Sequence, residues 1–156
     1  RGKYPMNAWL KKIKISAILI SFMVFIIASI GASYIRTNFL LKKQVKAYVA
    51  ANMPQGLTGS ERENKAESLY FEFMAQPTQK AFSVAILMVA FLVSGYAAGT
   101  MSGSHINAAL AAIASALVFL SQIHSGAYWV TILLGFALCM VGSKIGIFLK
   151  QEKGIS

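Results

Sequence analysis

Few side chains in this chain can do chemistry, and they gather at one place. Ser104, His105 and Asn107 stand together at the start of a long apolar stretch. An imidazole can carry a proton or ligate a metal. A carboxamide can both donate to and accept from a solute. His105 and Asn107 are therefore the candidate polar site, a constriction or ligand contact, because polar groups at membrane depth are commonly functional. The competing role is local: Ser104 suits a helix N-cap, and Asn107 lies where a side chain can reach back to the first turn. The other histidine, His124, falls at the far end of the same stretch. The pair is then separated by most of a bilayer and cannot share a metal. Cys139 is the single cysteine, so neither an intrachain disulfide nor a dithiol redox pair can form.

The elements that must carry these groups are membrane helices. From Ala81 to Ser143 there is no Asp, Glu, Lys or Arg. That run suffices for three crossings at roughly 20 residues each. A second uncharged run, Ile15–Ile35, suffices for one more. It exceeds the apolar core of a cleaved signal peptide and is expected as a retained helix. The expected fold is an all-α integral membrane protein, a single membrane domain over 1–156 with four transmembrane helices. The spans are about 15–35, 81–99, 105–123 and 127–148, with a helical extramembrane insert at about 36–80 between the first and second. The loops Thr100–Ser104 and Gln122–Gly126 are short enough to make their flanking helices antiparallel neighbours.

Gly95, Gly99 and Gly103 recur every fourth residue across the end of the second span. Small residues at this spacing form a groove that lets another backbone approach closely. The third span carries Ala108, Ala112 and Ala116 at the same spacing, and the two faces are expected to form a tight hairpin. Smaller versions of such a face occur at Ala28 and Ala32 and at Gly142 and Gly146.

The insert reads as two amphipathic helices. In Thr37–Met53, Leu41, Val45, Tyr48 and Val49 share one stripe, and Pro54 with Gly56 ends the helix. This segment continues the first span or lies at the interface. Ser60 and Glu63 have capping-box spacing. Ala66, Leu69, Tyr70, Phe73 and Met74 then follow at helical intervals, and Pro77 stops the run. The stripe is expected to pack on the other insert helix or the membrane surface, or to dock a partner.

The chain has 156 residues, no Asp and a net charge of +10, with a mean hydropathy of +0.59. Its basic residues flank the apolar runs, so they are expected to meet anionic headgroups of the lipid bilayer and no nucleic acid. The basic residues divide almost evenly between the terminal side and the insert. The cluster before the first span favours cytoplasmic termini, in a bacterial-type inner membrane. Trp9, Tyr34, Tyr128 and Trp129 lie near span ends, where aromatic anchors belong.

Ser102-Gly103-Ser104-His105-Ile106-Asn107-Ala108-Ala109 resembles the loop motif of the aquaporin family, in which Asn-Pro-Ala opens a half-helix. The resemblance covers eight of 156 residues. Ala108 replaces the proline, and neither a second copy nor the family's six-span duplicated layout is present, so no role is carried over.

The spans hold no carboxylate for proton-coupled exchange, no cysteine pair, no Arg–Glu arrangement and no histidines at matching depth for haem. No enzyme, metal or cofactor is expected. The leading expectation is a non-catalytic accessory or assembly subunit of a larger membrane complex, with a membrane-protein partner or as a homo-oligomer. The alternative is a channel or transporter-like homo-oligomer for a neutral solute, using Ser94, Thr100, Ser115, Gln122 and the polar span edge.

Overall fold

The computed structural model describes residues 12–118 and 126–152, the side chains of 126–128 excepted, and they are almost wholly helical. The first helix, α1 (Ile15–Ile35), is apolar along its length. Its first turn begins at Lys14, whose carbonyl accepts from the Ala17 and Ile18 amides at 3.0 and 3.2 Å. A π-helical turn, Arg36–Leu41, leads without a break into α2 (Lys42–Asn52). Of the two alternatives for this segment, the backbone takes continuation of the first helix. The helix ends where Met53 turns extended, at φ −74° and ψ 121°. Pro54 forces this, because its ring clashes with an α-helical residue before it.

Helix α3 (Gly59–Ala75) corrects the expected start. Its N-cap is Thr58, at φ −130° and ψ 158°, and no side chain caps it. The chain enters through Gly59 at φ +54°, a conformation natural to glycine. Ser60 therefore lies inside the first turn and cannot be the cap residue of a Ser60–Glu63 box. Gln76, at ψ 142°, closes α3. Pro77 both ends α3 and opens α4 (Pro77–Ser102). The first helical position suits proline, since its missing N–H would have no partner there. The second apolar helix thus starts four residues before Ala81, and Lys80 is within it. Helices α5 (His105–Val118) and α6 (Gly126–Glu152) complete the order.

Three helices are long and apolar enough to cross a membrane: Ile15–Asn52, Pro77–Ser102 and Trp129–Glu152. The chain is accordingly an all-helical protein of membrane type. Helix α5 is apolar but has 14 described residues, a rise of about 21 Å against a hydrocarbon core of about 30 Å. The remainder of the expected third span, with His124, Gln122 and the Gln122–Gly126 loop, lies outside the described residues. So do Trp9 and the basic residues before Lys12.

The chain divides into two compact units, 1–29 with 87–156 and 30–86. In the first, Phe25, Ala90, Phe91, Ala98, Ala108, Ala112 and Cys139 form one buried cluster. The Phe25 and Phe91 rings lie 4.7 Å apart at 51°, a tilted geometry that aromatic quadrupoles favour. Glycines set the distance between α4 and α6. A Cβ at Gly95 would overlap the carbonyl of Cys139, and one at Gly99 the carbonyl of Ser143. Reciprocally, Gly142 meets the Leu92 backbone and Gly146 the Tyr96 backbone. Partner numbers rise together, so α4 and α6 run parallel. Helix α5 runs against α6, with His105 beside Ser143 and Ala108 beside Cys139.

In the second unit, α2 packs on α3. The Tyr48 and Phe73 rings are 5.3 Å apart, and Leu41, Leu69 and Phe73 are buried. Val45, Tyr48 and Val49 are the partly covered residues of α2, as their shared stripe requires. On α3, Tyr70 departs from the stripe and stays exposed. Arg36 joins the π-helical turn to the start of α4. It donates to Ser83 Oγ at 2.8 Å, to Gln79 Oε1 at 2.7 Å and to the Gln79 carbonyl at 3.1 Å. Its guanidinium also lies 5.9 Å from the Phe82 ring centroid.

Candidate functional site: the polar start of the third apolar helix

The turn between α4 and α5 is built from small polar residues, each with a backbone task. Gly103 has φ +65°, and its amide donates to the Gly99 carbonyl at 2.9 Å. That is a left-handed helix terminus, where a side chain would be strained. Gly103 therefore ends α4 and does not extend the Gly95–Gly99 groove; a Cβ there would meet nothing within 4 Å. Ser102 Oγ donates to the Ala98 carbonyl at 2.6 Å and accepts from the Ser104 amide at 3.2 Å. Ser104 Oγ in turn accepts from the Ile106 amide at 3.3 Å. Ser104 is thus the N-cap of α5, as its position in the sequence implies.

Asn107 does something other than cap its own helix. Its Oδ1 accepts from the Lys14 amide at 2.9 Å, and its Nδ2 donates to the Lys12 carbonyl at 3.0 Å. The side chain is fully buried. Residues at a helix start project back toward the N-terminus, and here the segment entering α1 lies in that direction. Lys12 and Lys14, both exposed, have a carbonyl and an amide that no helix bond uses. Asn107 supplies one donor and one acceptor in a single group.

His105 is exposed, and its Nδ1 lies 3.1 Å from Ser143 Oγ. It lines an open groove of about 440 Å³ with Val141, Lys144, Ile145, Phe148 and Gln151. The two candidate polar residues therefore do different things: Asn107 is buried and satisfied, while His105 is accessible and held by one bond.

Ala108 and Ala112 are buried, Ala116 partly so. The glycine stripe makes its closest approach to the last helix. Gly95 and Gly99 lie on α6 against Cys139 and Ser143, and the Cys139 Sγ donates to the Ala108 carbonyl at 3.4 Å. Both small faces thus meet the last helix. Gly142 and Gly146 return the contact, so neither backbone is held off by a Cβ, a closeness that alanine on one side would prevent.

Further polar groups line the interior: Ser94 and Ser115, already candidate solute contacts, together with Ser21 and Ser143, which the sequence did not mark. Ser94 Oγ donates to the Ser21 carbonyl at 2.8 Å, across 73 positions of the chain. Ser21 and Ser115 bond the carbonyls of Ala17 and Ala111, one turn back on their own helices. With Asn107 and Ser143 they are fully buried. Their only signal in the sequence is a serine at a helix-interior position, which does not name the partner helix. Among the described residues no three His, Cys, Asp or Glu side chains are grouped to hold a metal. Set beside known protein families, characterised proteins and solved structures, the chain finds no match.

Proposed function

We propose that this chain is the subunit of a channel or transporter-like homo-oligomer for a small neutral solute, with no catalytic role and no cofactor. One observation supports the reading above the others. At the polar start of α5, accessible His105 borders an open groove of about 440 Å³, held there by its bond to Ser143. A neutral solute needs donors and acceptors rather than a compensating charge, and the His105 imidazole is an accessible one.

The proposed topology has four spans, with the 36–80 insert outside the membrane and both termini on one side, the cytoplasmic one. The parallel course of α4 and α6 favours it, because the chain between them must travel back the length it came, and α5 runs in that direction. A bacterial-type inner membrane is the setting proposed with it.

The test is purified protein in liposomes, with stopped-flow light scattering under gradients of water, glycerol and urea. Faster equilibration than protein-free vesicles is expected for at least one solute, with a clear loss in His105→Trp. Rates equal to those of empty vesicles, for protein shown to be folded and homo-oligomeric, would reject the proposal. A second reading, an accessory or assembly subunit, is favoured by Phe71, which is 61% exposed on α3 with Tyr70 beside it. A stoichiometric membrane-protein partner retained in mild detergent, and lost in Phe71→Ser, is its expected signature.

A further inference from the structure

We propose that a second copy of this chain docks on the insert, with α2 and the π-helical turn of one copy lying antiparallel on the outer face of α3 of the other. The proposal rests on the homo-oligomer reading above and names its interface. Packing of α2 on α3 turns Val45, Tyr48 and Val49 inward on one helix and Leu69 and Phe73 inward on the other. Each helix keeps an outward stripe that the fold does not cover. On the first, Phe39, Lys43 and Lys46 follow at intervals of four and three, the spacing that keeps side chains on one helical face. On the second, Glu63, Glu67 and Phe71 follow at intervals of four. All six are exposed, Phe39 at 68% and Phe71 at 61%.

The two stripes complement each other in reverse order. With Phe39 set opposite Phe71 in an antiparallel pair, Lys43 falls opposite Glu67, and Lys46 falls beside Glu63. Two-fold symmetry forms this contact twice, since each copy offers both stripes. Among the described residues, none of these four charges is ion-paired within the chain. Arg62 and Lys65 fall on the opposite side of α3 at 3.6 residues per turn, so they do not neutralise its acidic stripe. Charge also separates a second copy from the bilayer as the occupant. An anionic surface attracts the lysines but repels Glu63 and Glu67, which share their face with Phe71. Exposed ion pairs are individually weak. They therefore set register and orientation, while the facing aromatic rings supply the apolar burial.

The experiment measures self-association of the full chain in mild detergent, by size exclusion with light scattering and by energy transfer between labelled chains. Lys43→Glu and Glu67→Lys, each alone, should weaken association by about tenfold or more, because each sets like charges opposite one another in both copies of the contact. An equal mixture of the two variants should associate as wild type does, since the mixed pair has opposite charges in both contacts. Mixing cannot repair a contact made within one chain, so this recovery marks an interface between copies and shows that both variants fold. Arg62→Glu, on the opposite side of α3, should leave association unchanged. Full association of Lys43→Glu, a mixture that stays dissociated, or an equal loss in Arg62→Glu would each overturn this interface while leaving the homo-oligomer to another surface. A monomeric wild type would overturn both, and would leave the stripes to the bilayer surface or to a different protein.

Discussion

Replacing Gly99 with alanine adds one methyl group, and the structure says where it goes. The new Cβ would overlap the Ser143 carbonyl, with the Ser143 C and Cα atoms both at 2.9 Å. None of these is a flexible side-chain end that can swing aside. Helices α4 and α6 must separate, and the contacts of Gly95, Gly142 and Gly146 loosen with them. Overpacking a tight interface costs roughly 1–3 kcal/mol. Obstruction by backbone atoms alone places Gly99→Ala near 3 kcal/mol, and Gly99→Leu above it. In lipid no hydrophobic gain offsets the loss, since the tails are as apolar as leucine. At about 2–4 °C per kcal/mol for a chain of this size, the unfolding midpoint should fall by about 6–12 °C. Gly31→Ala is the matched control. A Cβ there meets nothing within 4 Å, so relief of glycine's helix penalty should stabilise by about 0.5–1 kcal/mol. Both variants are measured by thermal unfolding in detergent, followed by fluorescence-detected size exclusion. If Gly99→Ala unfolds at or above the midpoint of Gly31→Ala, close backbone packing does not hold α4 to α6.

Asn107→Leu should destabilise by about 1–3 kcal/mol, since it removes the bonds to the Lys14 amide and the Lys12 carbonyl at about 0.5–1.5 kcal/mol each. Hydrogen exchange should show its effect first at the start of α1, and unchanged protection there would refute the role. Arg36→Lys should behave much like Arg36→Ala, because the guanidinium bonds to Ser83 and Gln79 through two different nitrogens and an ammonium cannot reproduce that fork. Rescue of α2–α4 proteolytic resistance by lysine would contradict this. Cysteines at Gln55 and Gln76 should react with an impermeant thiol reagent from one side of the membrane only. The native Cys139, being buried, should stay silent, and protection of both new sites from both sides would contradict the four-span topology.

The alternation of charge and apolar runs was enough to find the three helices long and apolar enough to cross a membrane, because lipid imposes one rule on every residue: apolar side chains outside and backbone bonded within. Local periodicity was enough for the α2 stripe and for Leu69 and Phe73 on α3. Ser104 was legible as a cap because capping involves only the next two or three residues. Boundaries were less legible. Pro77 reads equally as a stop and as a start, and a glycine at positive φ moved the beginning of α3 ahead of Ser60.

Partner choice was the part that only the tertiary structure decided. Four stretches of the sequence carry small residues at four-residue spacing, and spacing alone does not say which two meet. The fold pairs Gly95 and Gly99 with Gly142 and Gly146, where both backbones are bare, and it spends Gly103 on a helix terminus. Asn107 likewise could serve its own helix or a distant strand of chain. It serves Lys12 and Lys14, whose free carbonyl and amide it bonds, while Ser104 already caps its own helix. Sequence sets which residues can make such contacts; the packing of helices decides which of them do.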